Sequence, residues 1–324
     1  MLLPTLPTLP TLRLVALLGT LLLLAACAGR GPLLPDDSTL ADLPRQVQLD
    51  VPFHAQDEYQ CGPAALAMVF NHHGLPGHPD QLKDRVYLPE RQGTIQLEMV
   101  AASRERDLVA YPLATNLESL LSELAAGHPV LVMQNLGLNW LPQWHYAVVI
   151  GYDLDAEHLI VHSGLNQAQQ EPFALFMRTW GRADHWARVM LPAEQIPATA
   201  EPLRYLLAAS ELEQTGRLLA AAQAYETAQQ QWPDQPGASF GLGNIAWAQG
   251  RNADAIDHFR QLVDDFPDLA AGWNNLAVAL ENSGCPLSAE LVRQCEENGV
   301  DSELGNRVQR DEKNSLCQLP KRCK

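Results

Sequence analysis

Small residues and aromatics recur every 34 positions towards the C-terminal end of this chain. Gly216, Gly250 and Gly284 keep that spacing, and so do Ala221, Ala255 and Ala289. Tyr225 is matched by Phe259, and Pro233 by Pro267. Trp273 and Leu276 stand one period after Ser239 and Leu242, while Arg293 occupies the third aromatic position. A unit of this length cannot bury its own apolar face, so it must stack on its neighbours. About three units, over residues 196–304, are therefore expected to form an all-α array.

Ahead of Pro197 the pattern is different. "VQLDVPF" alternates like a strand, and "CGPAALAMVFNHHG" reads as a helix closed by Gly74. "IQLEMVAASRERD" and "LESLLSELAAG" read as further helices. "HPVLVMQNL", "HYAVVIGYD", "HLIVHSG" and "WARVMLP" are apolar runs of strand length. Helices followed by strands predict an α+β domain over residues 46–195. The array behind it resembles the tetratricopeptide repeat, which implies a groove for a protein or peptide partner.

The first 26 residues read as a signal peptide. Arg13 precedes an apolar run that is short for a membrane span and ends in Leu24-Ala25-Ala26-Cys27. This resembles the bacterial lipobox, which implies lipid on Cys27 and a tether over residues 27–45. It also implies a periplasm-facing anchor in the cell envelope, and Ala28 after the cysteine favours the outer membrane. The chain's 324 residues carry a formal net charge of -16. An acidic surface argues against nucleic acid as the partner. No Gly-rich Lys-Ser/Thr phosphate loop is present, so ATP is not expected either.

Six cysteines divide into three groups. Cys27 is the lipid acceptor and Cys61 stands alone. Cys285, Cys295, Cys317 and Cys323 cluster late, where an exported chain keeps disulfides. Their spacing fits no compact zinc finger. Cys285 and Cys295 are expected on one helix, about 15 Å apart, too far for a mutual bridge. Each is therefore expected to pair with Cys317 or Cys323 in the tail, residues 305–324.

Cys61 opens the apolar helix, where the helix dipole lowers a thiol pKa. Gly62 permits close approach of a substrate, and Pro63 suits a first helical turn. A cysteine nucleophile also needs a base and an oxyanion hole. His145 begins the apolar strand of "WHYAVVIGYD", and Gln56 could donate a side-chain amide alongside the Cys61 N–H. His72 and His73 end the Cys61 helix without a third ligand at helical spacing, so they read as a surface pair. No metal or other cofactor is expected.

The run "VPFHAQ…YQCGPAALAMVFNHHG", with "HYAVVIGYD" 84 residues after the cysteine, resembles the papain-like cysteine peptidases of the bacteriocin-processing type, peptidase family thirty-nine. The resemblance implies Cys61 as nucleophile, His145 as base and Gln56 as oxyanion donor, with Gln60 a rival for that last role. It also implies an Asp on the next strand to orient the histidine. This chain has "LIVHSGLNQ" there, leaving Ser163, His162 and Asn166 as candidates. The implied activity is peptide-bond hydrolysis at a membrane face, with the repeats recruiting substrate or partner. The alternatives are a non-catalytic peptide-binding adaptor, and a cell-wall amide hydrolase or transpeptidase of the same fold.

Overall fold

The computed structural model describes residues 40–55, 60–91, 93–297 and 318–320. The leader, Cys27 and Gln56 lie outside them.

A short strand, β1 (Gln46–Gln48), leads to helix α1 (Cys61–His72). Helix α2 (Pro79–Val86) and the small hairpin β2 (Tyr87–Leu88) and β3 (Gly93–Thr94) follow. Then come α3 (Gln96–Arg104), β4 (Leu108–Pro112), α4 (Leu117–Ala125), β5 (Val130–Asn135) and β6 (Trp144–Asp153). β7 (His158–Ser163), β8 (Asn166–Pro172), α5 (Phe173–Gly181) and β9 (Ala187–Pro192) complete the α+β part.

Its sheet has seven strands, in the order β4-β9-β5-β6-β7-β8, with β1 also on β6. Every pairing is antiparallel. β6 is the organising strand: β5 pairs with residues 144–149 and β1 with residues 151–153. Gly151 makes that second pairing possible, because a Cβ there would lie 2.1 Å from the Val47 carbonyl oxygen. β6 is buried from Tyr146 to Tyr152.

α1 lies across one face of this sheet. Gly62 to Phe70 are all buried, so the helix is apolar all round, as a central core helix must be. Leu66, Met68 and Phe70 are fully enclosed with Tyr146, Val148 and Ile150. Each such side chain contributes about 1.5–3 kcal/mol. Gly74, at φ +71°, ends the helix, and Leu75 N–H closes it on the Phe70 carbonyl at 2.9 Å.

The structure adds elements that the pattern of the sequence leaves unread: α2, the β2–β3 hairpin, β4, α5 and β8. β8 reads "NQAQQEP", with only Glu171 buried, because it is the outer strand of the sheet. Of the strand expected over "VQLDVPF", only Val47 and Gln48 belong to β1, which starts at Gln46.

Six antiparallel helices follow: α6 (Pro202–Gln214), α7 (Leu218–Gln231), α8 (Pro236–Ala248), α9 (Asn252–Asp265), α10 (Ala270–Asn282) and α11 (Pro286–Glu297). The repeat is physical as well as textual. Gly216, Gly250 and Gly284 adopt φ of +78°, +71° and +82°. The next residue in each unit, Arg217, Arg251 or Cys285, bonds back to the carbonyl of Leu212, Ala246 or Leu280 at 2.9 Å. That is one Schellman closure made three times. Ala221, Ala255 and Ala289 are fully buried. Arg293, in place of the third aromatic, pairs with Glu281.

α6 joins the array to the sheet. It packs against β4, covering an edge that would otherwise expose unpaired backbone groups. Val109 and Tyr111 of β4 share a core with Tyr205, Ala208 and Leu212. The Tyr111 hydroxyl donates to the Thr199 carbonyl and accepts from the Glu201 N–H, both at 3.1 Å. Glu123 is fully buried, and accepts from the N–H groups of Ala198 and Thr199 at 3.0 and 2.8 Å. Arg217 forks onto Asp107 at 2.7 and 2.6 Å.

Cys285 is disulfide-bonded and buried. It precedes α11 rather than sharing a helix with Cys295, because Pro286 opens that helix. The side chain of Cys295, and all of Cys317 and Cys323, lie outside the described residues.

Candidate active site

Cys61 is a free thiol at the first position of α1. Gln60 takes the preceding cap position at φ -106° and ψ 19°, and its side chain makes no capping bond. The thiol packs at the edge of the core below the start of β6. Three backbone N–H groups approach its sulfur: those of Tyr146, Gly62 and Cys61 itself. Tyr146 directly follows His145, so this contact places Cys61 against the start of β6.

Burial pushes the Cys61 thiol above its ordinary value, and outweighs the three N–H groups, which favour the thiolate. The lowered pKa expected from the helix terminus is therefore overridden by desolvation. His145 is half-buried, and burial holds its imidazole below the ordinary histidine value. At neutral pH the pair is thus a neutral thiol and a neutral imidazole.

His145 Nε2 lies 2.9 Å from Ser163 Oγ. When Nε2–H donates to that oxygen, Nδ1 carries the free lone pair. Ser163 is positioned by the β7–β8 hairpin. Gly164, at φ +61°, takes the first central position of the two-residue turn, where glycine is needed for positive φ.

His162 directs both ring nitrogens to backbone groups. Its Nε2 bonds the Val51 carbonyl at 3.0 Å, and its Nδ1 accepts from the Ala168 N–H at 3.0 Å. Ala168 is at φ +49° in a β-bulge opposite His162, so the imidazole satisfies an amide that the bulge takes out of the ladder. Asn166 is exposed, and makes no side-chain hydrogen bond among the described residues. Of the three candidates for orienting His145, Ser163 is the one hydrogen-bonded to it among the described residues.

Two parts of the site have no local signal in the sequence. The Tyr146 N–H is a backbone group, revealed by the fold alone. Thr94 belongs to a two-residue strand, and its side chain fills the space where a Gly62 Cβ would stand, 2.6 to 3.0 Å away. Thr94 Oγ1 is buried with no hydrogen-bond partner among the described residues.

His72 and His73 lie at the far end of α1 and line a recess of about 640 Å³ with His128. His72 Nδ1 meets the Asp50 carbonyl at 3.3 Å. Burial pushes His73 down to about 4, and the charge of His72 adds to the effect. Among the described residues no three His, Cys, Asp or Glu side chains converge as a metal site.

Residues 42–187 match the model of the Peptidase C39 like family. Residues 206–270 and 240–284 match the tetratricopeptide repeat. No curated protein matches the chain. Among solved structures, a C39-like peptidase from Bacillus anthracis is 18% identical at a TM-score of 0.39, covering 46% of this chain and 98% of its own. A double glycine motif protease from an AMS/PCAT transporter, solved with its leader peptide, is 18% identical at a TM-score of 0.34. That match covers 44% of this chain and 93% of the other. The chain therefore carries a C39-peptidase-like domain followed by tetratricopeptide repeats.

Proposed function

We propose that the domain hydrolyses peptide bonds, with Cys61 as nucleophile and His145 as general base. The observation that carries this reading is the arrangement around β6. The Tyr146 N–H meets the Cys61 sulfur, and His145, one residue earlier, is held by Ser163 at 2.9 Å.

The resting pair is neutral, so the thiol proton moves to His145 as sulfur attacks the scissile carbonyl. The oxyanion is stabilised by the Cys61 N–H, with Gln56 as the second donor. His145 then protonates the leaving amine, the C–N bond breaks, and a thioester remains on Cys61. Water, deprotonated by His145, hydrolyses the thioester and releases the acid. Ser163 fixes the tautomer but supplies no negative charge to an imidazolium, so turnover is slower than with a carboxylate partner. Exposed Trp140, Trp144, Leu138, Leu141 and Leu165 flank the start of β6, and suit the apolar side chains of a peptide.

In this reading a lipid on Cys27 holds the domain at the periplasmic face of the envelope, in the outer membrane. The repeat array recruits a protein partner or the substrate itself. The raised thiol pKa and the missing carboxylate favour one second reading, a peptide-binding adaptor without turnover. Incubating the full chain with peptide pools and with muropeptides, followed by mass spectrometry, separates the readings. Peptide cleavage lost in Cys61→Ala supports the peptidase. Cleavage of muropeptides alone supports a cell-wall hydrolase, and intact substrates in both pools support the adaptor. Loss of membrane association in Cys27→Ser tests the anchor, and a variant that stays with the membrane overturns it.

A further inference from the structure

The sheet face that carries α1 has a second recess, of about 480 Å³, where α3 and α6 meet β4 and β9. A chain of contacts links it to Cys61. Trp186, in its wall, packs edge-on against Tyr146 with ring centroids 5.6 Å apart, and the Tyr146 N–H meets the sulfur. Gln96, in the same wall, comes two residues after Thr94, which abuts Gly62.

Its charge is opposite to that of the chain as a whole. Arg104, Arg188 and Arg204 line it, against one carboxylate, Glu211. Glu211 sits 3.4 Å from Arg104, and Arg204 reaches Glu201 at 3.4 Å. Arg188 has no ion pair among the described residues. It stacks on the Trp186 ring at 5.1 Å and gives one N–H to the Ala187 carbonyl. Burial disfavours its charge, and Glu211 is the group that works against this. The Nε of Arg104 is buried without a hydrogen-bond partner among the described residues. Unused guanidinium donors in a desolvated site match a carboxylate in fork geometry. Leu207, more than half exposed, adds an apolar wall.

We propose that this recess is the subsite for a carboxylate-bearing residue of the peptide that lies across Cys61. The first repeat helix supplies one wall, so the repeats take part in substrate selection directly. This deepens the peptidase reading and rests on it.

The test uses the full chain with Cys61→Ala, so that no probe is cut. Two pools of fluorescein-labelled peptides, randomised except at two positions, carry Glu or Gln at those positions and end in an amide. A third pool carries Gln and a free C-terminal carboxylate. The expected result, by fluorescence anisotropy, is binding about ten-fold tighter for a carboxylate pool than for the Gln amide pool. Tighter binding of the Glu pool assigns the subsite to a side chain, and tighter binding of the third pool assigns it to a chain end. The preference should disappear in Arg188→Gln and weaken in Arg204→Gln, whose guanidinium already has the Glu201 partner, with circular dichroism reporting the fold of both. Equal or undetectable binding of all pools, or a preference that survives both variants, overturns the proposal. Alkylation of Cys61 in the unsubstituted chain is scored separately. A reactive Cys61 with no carboxylate preference removes the subsite alone, and an inert Cys61 with the preference intact removes the peptidase reading alone.

Discussion

Gly250 and Gly62 each sit at the end of a helix, for opposite reasons. Gly250 closes α8 at φ +71°, and nothing lies within 4 Å of a Cβ built there. Its role is conformational, and it recurs in each unit of the array. Gly62 is the second residue of α1, without positive φ, and a Cβ there would strike Thr94. Its role is spatial, like that of Gly151, and it does not recur at the 34-residue period. The repeat array is built by local rules applied three times. The sheet domain is built by single contacts between distant segments, and the candidate site belongs to the second kind.

The sharpest way to break this comparison is through activity. Removing the base in His145→Ala is expected to cut peptide turnover by about 10²–10⁴-fold and leave the melting of the repeats unchanged. Loss of cooperative folding in that variant would instead make His145 structural. Next in size is Gly62→Ala, expected to cost about 1–3 kcal/mol by overpacking against Thr94, and to reduce Cys61 reactivity with it. Gly250→Ala is expected to cost about 1–2 kcal/mol from backbone strain alone. Gly250→Asn should cost less, since Asn tolerates that conformation. Urea titrations of these variants test whether space and conformation are separable. If Gly250→Asn is as damaging as Gly62→Ala, the distinction fails.

Two pH experiments sharpen the account further. His145 titrates below its ordinary value of about 6.5, and must be neutral to act as base. The acid limb of the rate profile should therefore lie below pH 6.5. Ser163→Asp places a carboxylate on His145, favours the imidazolium, and should move that limb to higher pH. The second experiment concerns stability. His73 is held neutral down to about 4 in the folded chain, while in the unfolded chain it titrates near 6.5. As pH falls between those values the unfolded state takes up the proton first, so stability declines over that window. His73→Gln should flatten part of the decline in thermal melts. The smallest effect is expected from Arg217→Gln, whose pair with Asp107 is exposed and worth less than about 1 kcal/mol.

The same contrast explains what the sequence makes legible. The repeats can be read because Gly, Ala and the aromatic positions recur at a fixed distance, and the structure uses them in one geometry. Cys61 and His145 can be read because each sits at the start of a strongly apolar element. Ser163 appears in the sequence only as one of three neighbouring candidates. A β-bulge and a two-residue turn decide which of the three faces His145. β8 is hidden by its polar, outer position. The expectation of an acidic thiol fails because the feature that makes α1 a core helix also desolvates its first residue. The arginine recess is invisible in the sequence, since Arg104, Arg188 and Arg204 come from α3, β9 and α6 and share no motif.

The central claim is that Cys61 attacks with the help of His145. The direct measurement is the rate at which a panel of peptidyl epoxides modifies Cys61 near neutral pH, followed by intact-protein mass spectrometry. The account predicts modification confined to Cys61, absent after denaturation, and slowed at least about 100-fold in His145→Ala. Equal rates in the two proteins, or labelling that tracks only a free thiol at alkaline pH, would contradict it.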